Sequence, residues 1–364
     1  MDKQCIVVTN PMIAANKSAQ VTLNKFLRVI SACYEQITVI GGNIAVEADL
    51  EQVNVVSVPI QRAKSRWKRV LDILLLQFKI AQHVGKFAQK GVPAYFWMAD
   101  KMLLPFWSAR RKKSDIRFFI YGNVLKEGNP SRFRQLSGKL IAYMANHAGS
   151  VCVESPGVLK EWEGVVAPKQ VRTIHLYTRT EDWAASDRRE NVIGMLCRLT
   201  EGKHVLPSIR AFSEFHKTHP QYTLEIIGSG KQEDACRELI AQLQAEAYIR
   251  MLGWVDHQEV AKTAAHWQYL LFPSDTEGMP NSVIEMMGMG IPAIASPVGG
   301  VSDIIQHGRN GWLLAGTTQE DILASLCAAL AQGEGYLSMA QAAKADIGQT
   351  FSLQNAQATA LRNI

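Results

Sequence analysis

Two glutamates, Glu277 and Glu285, stand eight residues apart in SDTEGMPNSVIEMMGMGIP (residues 274–292), on either side of a Gly-Met-Pro-Asn turn. The preceding YLLFPS reads as a buried strand that ends near Pro273. Glu277 therefore falls on a loop at a strand's carboxyl end, where open α/β sheets bind ligands. Asn281 or Ser282 can cap the helix that follows. The free N–H groups of its first turn, helped by the helix dipole, attract an anion. Glu285 lies about one turn into that helix, on a face that can point back to the same ligand. Two carboxylates are out of place around an anion alone. They make sense if each accepts hydrogen bonds from a hydroxyl pair, one on a sugar and one on a ribose. A nucleotide sugar has both, joined by a diphosphate.

The elements that must position these groups alternate along the whole chain. In the first half, strand-like runs occur at 5–9, 37–41, 55–59, 94–98, 117–121 and 150–154, with helical stretches between them, for instance at 19–33 and 67–89. The second half repeats the alternation with NVIGMLCR, YTLEIIG, IRMLGWV, YLLFPS, PAIASP and GWLL. Its helices are expected at 206–218, 234–246, 257–266 and 282–288, with a last one at 353–363. Such alternation implies parallel sheets with crossover helices. Two tandem sets imply two Rossmann-like, doubly wound domains facing across a cleft: residues 1–175 and 176–349, with helix 350–364 packing back on the first. The polar, irregular stretch 175–190 is the expected hinge.

Composition fits this class. The chain has 364 residues, 47% hydrophobic and 20% charged, a globular balance with room for two domains. No apolar run reaches a membrane span; the longest, LDILLLQF at 71–78, is flanked by charges. The start, MDKQCIVVTNP, lacks a basic region before an apolar core and reads as a first strand, not a signal peptide. The six cysteines, Cys5, Cys33, Cys152, Cys197, Cys236 and Cys327, are scattered without a Cys-x-x-Cys. They read as reduced, buried thiols of a cytoplasmic protein, with no zinc site. His216 and His219, before Pro220, suit a polar helix end better than a ligand pair, and His175 reads as structural.

The net charge of +6 conceals an asymmetry: residues 1–170 carry 24 Lys+Arg against 12 Asp+Glu, and residues 171–364 carry 15 against 21. Basic residues concentrate in QRAKSRWKRVLDILLLQFK (61–79) and WSARRKKSDIR (107–117), mixed with Trp, Leu and Phe. One reading is a basic amphipathic surface for an anionic membrane; the other is a solvated helix face and a charged loop. Trp67, Trp97 and Trp107 line either the core or an acceptor groove, core being the simpler expectation.

The segment EGMPNSVIEMMGMGIPAIASPVGG resembles the signature of retaining family-4 glycosyltransferases of the GT-B fold, the group 1 glycosyl transferases of bacterial surface-polysaccharide type. IGMLCRLTEGKHVLPSIRAF (193–212), TLEIIGSGKQEDACREL (223–239), IRMLGWVDHQEVAKTAAHWQYLLFPS and PVGGVSDIIQHGRNGWLL resemble further segments of that family, in order, over nearly all of 190–315. The resemblance implies that Arg198 and Lys203 hold the diphosphate and that Glu285 accepts from the ribose hydroxyls. Glu277 would hold donor-sugar hydroxyls, close to the backbone amides of Gly278, Met279, Pro280 and Asn281. Gly228 and Gly230 would let the backbone approach the nucleotide. It also implies a transferase with no cofactor beyond a nucleotide-sugar donor, commonly a UDP-sugar. Asp275-Thr-Glu277 could suggest a metal-binding Asp-x-Asp, but the helix dipole, Arg198 and Lys203 can neutralise the diphosphate without Mg²⁺, so a metal-independent site is expected. The acceptor would be a glycan in polysaccharide, lipopolysaccharide or capsule synthesis; the basic first half suggests that it is carried on a membrane lipid, with the protein cytoplasmic or peripheral on the inner face of the cytoplasmic membrane. No nucleic-acid partner is implied.

The first half departs from that pattern. Asn16 and Lys17 stand where the family carries Gly-Gly; Asn tolerates a positive φ, and Lys17 can reach a phosphate or sit exposed on a loop. The family's acceptor-facing His is replaced by Tyr121, Gly122 and Asn123, with Asn123 the first candidate to contact the reacting sugar. Two alternatives stay open: a nucleotide-sugar epimerase or hydrolase on the same fold, and a catalytically degenerate protein that binds nucleotide sugar or membrane.

Overall fold

A computed structural model describes residues 4–12, 17–60, 66–125, 132–178, 190–331 and 335–364, and among the side chains of its elements not those of 17, 18, 66–70 and 133. The first half runs β1 (Gln4–Val8), α1 (Lys17–Ile30), β2 (Gln36–Gly42), β3 (Val53–Val58), α2 (Arg66–Phe87), β4 (Pro93–Phe96), α3 (Leu103–Arg111), β5 (Asp115–Phe119), α4 (Arg132–His147), β6 (Ser150–Val153), α5 (Pro156–Glu161) and β7 (Val171–Thr173). The second runs β8 (Val192–Leu196), a 3-10 turn (Glu201–Lys203), α6 (Val205–Thr218), β9 (Thr223–Ile227), α7 (Glu233–Gln242), β10 (Ile249–Gly253), α8 (His257–Ala264), β11 (Tyr269–Phe272), α9 (Asn281–Gly288), β12 (Ala293–Ala295), α10 (Val301–Ile304), β13 (Gly311–Leu313) and α11 (Gln319–Leu330). Two helices close the chain, α12 (Tyr336–Thr350) and α13 (Leu353–Asn363).

The strands form two all-parallel sheets, ordered β3-β2-β1-β4-β5-β6-β7 and β10-β9-β8-β11-β12-β13. Parallel strands covered by helices on both faces are apolar on both, which is why they read as continuous hydrophobic runs. In β1, Cys5, Ile6, Val7 and Val8 are all buried, Ile6 and Val8 in the layer under α2, α3 and α4, and Cys5 and Val7 in the layer under α1 and α13. The final helix α13 belongs to this first layer set, where Gln357 donates to the Arg28 carbonyl and Arg172 donates to the Ile364 carbonyl at 3.1 Å.

Each sheet reverses its winding beside its first strand, at β1/β4 and at β8/β11. The loops leaving β8 and β11 in opposite directions open a crevice at the strands' carboxyl ends. Both sequence motifs of the second half, Arg198–Lys203 and Glu277–Glu285, start from those two ends. Most of the expected hinge, 179–189, lies outside the described residues.

Three expectations change. The stretch 107–117 is only in part a charged loop: residues 107–111 are the second half of α3, anchored by buried Pro105, Phe106 and Ala109, and Lys112 and Lys113 form the turn into β5. Trp97 is buried, whereas Trp107 is 52% exposed and not core. All six cysteines are free, but Cys197 is half-buried and Cys327 exposed.

Candidate functional site

The loop after β8 is fixed by the loop after β9. Cys197 N–H donates to the Ile227 carbonyl at 3.1 Å, and Leu199 N–H to Ser229 at 3.0 Å. Gly228 has φ +142°, and a Cβ there would stand 1.9 Å from the Cys197 carbonyl oxygen; one on Gly230 would stand 2.3 Å from that of Leu199. Neither position admits a side chain. Both glycines let the 197–199 backbone come close, which sets where Arg198 and Lys203 leave the sheet.

Lys203, at the end of the 3-10 turn, pairs directly with Glu277, and each side chain is 14% exposed. Its ammonium also donates to Ser274 Oγ at 3.2 Å and sits 4.9 Å from the centre of the Phe272 ring. The neighbouring His204, in a left-handed turn at φ 45°, bonds Asp275 through Nε2 at 2.5 Å, and Asp275 N–H donates to the Gly202 carbonyl at 3.0 Å. Two side-chain pairs and a backbone bond thus clasp the loop after β8 to the loop after β11. Asp275 is engaged by a histidine, and no three-ligand metal cluster occurs among the described residues. Arg198, on the same loop, is exposed and forms no ion pair among the described residues.

The helix α9 starts differently from expectation. Neither Asn281 nor Ser282 is the cap: the N-cap is Pro280, at φ −74° and ψ 109°, with no side-chain cap bond. Proline already lacks its own N–H, and its carbonyl accepts from Val283 and Ile284 at 3.1 and 3.2 Å. The N–H groups of Asn281 and Ser282 then have no hydrogen-bond partner among the described residues, which leaves the positive end of α9 open. Gly278 and Met279 lie half-buried ahead of it.

Glu285 is buried on this helix and takes partners different from those of Glu277. His257 Nε2 of α8 stands 3.1 Å from its Oε1, and Lys25 Nζ of α1 stands 3.7 Å away. The hydrogen bond to Glu285 is the main cause that raises His257 above its ordinary pKa. Lys25 comes from the first sheet's layer, so this carboxylate joins the two halves. No sequence signal marks Lys25 or His257, because neither spacing nor a motif ties them to Glu285.

The first half presents Tyr121, Glu154 and Glu161 to the Glu277 loop. A Cβ on Gly278 would stand 3.4 Å from the Tyr121 ring and 3.5 Å from Glu154 Oε2. Burial raises the Glu154 carboxyl to about 7, opposed by a hydrogen bond from the Met279 backbone. Glu161 accepts from Thr276 Oγ1 at 2.5 Å, and Asp303 accepts from the Gly157 N–H at 2.7 Å. Asn123 does not take the expected acceptor-facing place. It is 2% exposed, its Nδ2 donates to the Glu161 carbonyl at 2.8 Å, and its Oδ1 accepts from Leu125 N–H at 2.9 Å. One end of its amide thus ties its loop to the end of α5, and the other folds the loop itself. Lys17 opens α1, with its side chain outside the described set, and Asn16 lies outside the described residues.

The sequence profile of the glycosyl transferases group 1 matches residues 179–346, the stretch that holds the whole second sheet and both clasped loops. This second unit belongs to the glycosyl transferases group 1 family. The GtfA subunit of a UDP-N-acetylglucosamine–peptide N-acetylglucosaminyltransferase from Streptococcus pneumoniae is 36% identical over 118 residues, 32% of this chain and 23% of that protein. The putative colanic acid biosynthesis glycosyltransferase WcaL of Salmonella typhimurium is 30% identical over 137 residues, 36% of this chain and 34% of that protein. The chain thus aligns with only about a quarter to a third of these relatives' length. Across both halves, Anabaena HepE, solved with UDP-glucose, superposes with a TM-score of 0.76 at 16% identity, covering 98% of each chain. The fold of the group 1 unit together with the first half is GT-B.

Proposed function

We propose that the chain is a retaining glycosyltransferase that moves a hexose-type sugar from a nucleotide diphosphate donor, a UDP-sugar, to a hydroxyl of a lipid-linked glycan in surface-polysaccharide assembly. Residues 176–349 form the donor side, and residues 1–175 with 350–364 the acceptor side. The observation that carries this reading is the Lys203–Glu277 pair at the carboxyl ends of β8 and β11. The pair holds a cation and a carboxylate at the crevice where an α/β sheet takes its ligand.

Chemically, transfer requires stabilising a departing diphosphate and a sugar that becomes cationic. Arg198, exposed and free of an ion pair among the described residues, turns to the diphosphate. Lys203 shares its charge between that diphosphate and Glu277. Glu277, held in place by Lys203, accepts from donor-sugar hydroxyls, while the open N–H groups at the start of α9 face the same anion. Glu285 accepts from the ribose, and His257 and Lys25 fix its carboxylate. The departing phosphate takes the acceptor's proton on the face where the new bond forms, which retains the anomeric configuration. Relatives and fold neighbours that act on or were solved with UDP-sugars support this donor class.

A thermal-shift panel of UDP, GDP, ADP and CMP and their sugar conjugates, with and without EDTA, tests it. One nucleotide diphosphate should raise the melting temperature whether or not EDTA is present. No shift with any of them would refute the donor site. Turnover of donor at full rate without acceptor, by hydrolysis or by epimerisation, would assign the chain to a hydrolase or an epimerase instead.

A further inference from the structure

We propose that the exposed apolar face shared by α2 and α3 seats the protein on an anionic lipid bilayer. It lies outside the donor site and gives a lipid-linked acceptor a place to be met; it rests on the proposed function only for that purpose. Along α2, Leu76, Ile80 and Val84 are buried in the core, whereas Leu71, Leu74, Leu75 and Phe78 are 55%, 51%, 52% and 56% exposed. Spacings of three and four residues put these four on one helix face, turned away from the core. The helix α3 lies alongside: Leu104 N–H donates to Gln77 Oε1 at 3.2 Å, and Ser108 Oγ donates to the Ala81 carbonyl at 2.8 Å. It adds Leu104 and Trp107, 38% and 52% exposed.

The charge around this patch selects the occupant. Arg110, Arg111, Lys112 and Lys113 are all exposed at the end of α3, and Lys79 is exposed on α2. Residues 71–114 carry eight Lys+Arg and only two acids, Asp72 and Asp100. A protein partner's interface core is depleted in lysine, whereas a bilayer surface takes Leu, Phe and Trp into its headgroup boundary and draws Lys and Arg to its phosphates. No helix among the described residues is long and apolar enough to cross a membrane, so this face lies on the bilayer and does not span it.

The test is co-sedimentation of the full chain with vesicles of phosphatidylcholine alone and of phosphatidylglycerol mixed with phosphatidylcholine. The chain should sediment with the anionic vesicles, release with salt, and stay in solution with phosphatidylcholine. Leu74→Ser with Phe78→Ser, and separately Arg110→Glu with Arg111→Glu, should each lower the partition coefficient by about tenfold or more. Melting temperature and nucleotide-induced shift should stay as in the parent, which separates loss of the surface from loss of the fold or the donor site. The proposal is overturned if the parent chain stays in solution at low salt, or if both variants bind like the parent. It is also overturned if light scattering shows a dimer that the Leu74/Phe78 variant breaks, which would give the face to a second copy of the chain.

Discussion

Glu154 stands at the end of β6, 7% exposed, with burial lifting its carboxyl from an ordinary 4.5 to about 7. A carboxyl raised in the folded state is protonated there while its unfolded counterpart has already ionised. Between pH 4.5 and 7 the folded chain therefore holds the extra proton, and stability falls as pH rises through that window. The difference of two and a half units corresponds to about 3 kcal/mol, absent at pH 4.5 and fully exacted above 7. Glu154→Gln keeps an oxygen that accepts from the Met279 N–H and removes the ionisation. Its melting temperature minus that of the parent should climb across the window. For a unit of this size about 3 kcal/mol amounts to roughly 6–12 °C. Differential scanning fluorimetry at half-unit steps of pH reads it directly. A difference that stays constant from pH 4.5 to 8 would refute the reasoning, because Glu154 would then titrate as an ordinary exposed carboxylate.

Gly230→Ala places a methyl 2.3 Å from the Leu199 carbonyl oxygen, so it should destabilise the second unit by about 3 kcal/mol or more and lower its melting temperature; an unchanged value would refute the loop–loop contact. Lys203→Met leaves Glu277 largely buried without its cation, and it should cost about 2–4 kcal/mol in stability and most of the UDP-induced shift. The double variant with Glu277→Gln should recover part of the stability and none of the shift; additivity in a double-mutant cycle would show that the pair is not coupled. Glu285→Ala should weaken nucleotide-sugar binding by calorimetry, whereas Glu277→Ala should reduce turnover more than nucleotide affinity. Equal affinity and full turnover in both would overturn the assignment of the two carboxylates. His257 is raised by its bond to Glu285, so that contribution is present at low pH and lost as pH rises through the folded value; in Glu285→Gln the NMR titration of His257 should move down.

What the sequence made legible divides by the range of the interactions involved. Strands such as β1, β9 and β11 are buried on both faces, so they stand out as apolar runs, and the structure starts and ends them within a residue or two of expectation. By contrast β7, Val171–Thr173, is three residues long and partly exposed, and it leaves no such run. The charge of residues 107–111 obscures the apolar anchors Pro105 and Phe106 that make this stretch helical. At the site, the β11–α9 loop was readable because its residues are local in sequence. The partners that set its geometry are not local: Lys25 reaches Glu285 from α1, Glu161 reaches Thr276 from α5, and Asp303 reaches Gly157 from α10.

These long-range contacts also bear on how a donor site and an acceptor side work as one enzyme. Lys203–Glu277 and His204–Asp275 join two loops of the second sheet, so they can form in that half alone. Lys25–Glu285, Glu161–Thr276 and the Glu154 hydrogen bond to Met279 each need both halves. The residues proposed to bind the sugar and the diphosphate are therefore set locally, while the carboxylate proposed to bind the ribose is completed by a cation from the other half. Lys25 and His257 both approach Oε1 of Glu285, so a ligand hydroxyl that bonds that oxygen competes with them and couples nucleotide occupancy to the contact between the halves. Lys25→Met isolates that coupling. It should change nucleotide affinity while leaving the Lys203–Glu277 pair and the stability of the second unit intact. A variant with unaltered affinity would show that the ribose carboxylate acts without help from the first half.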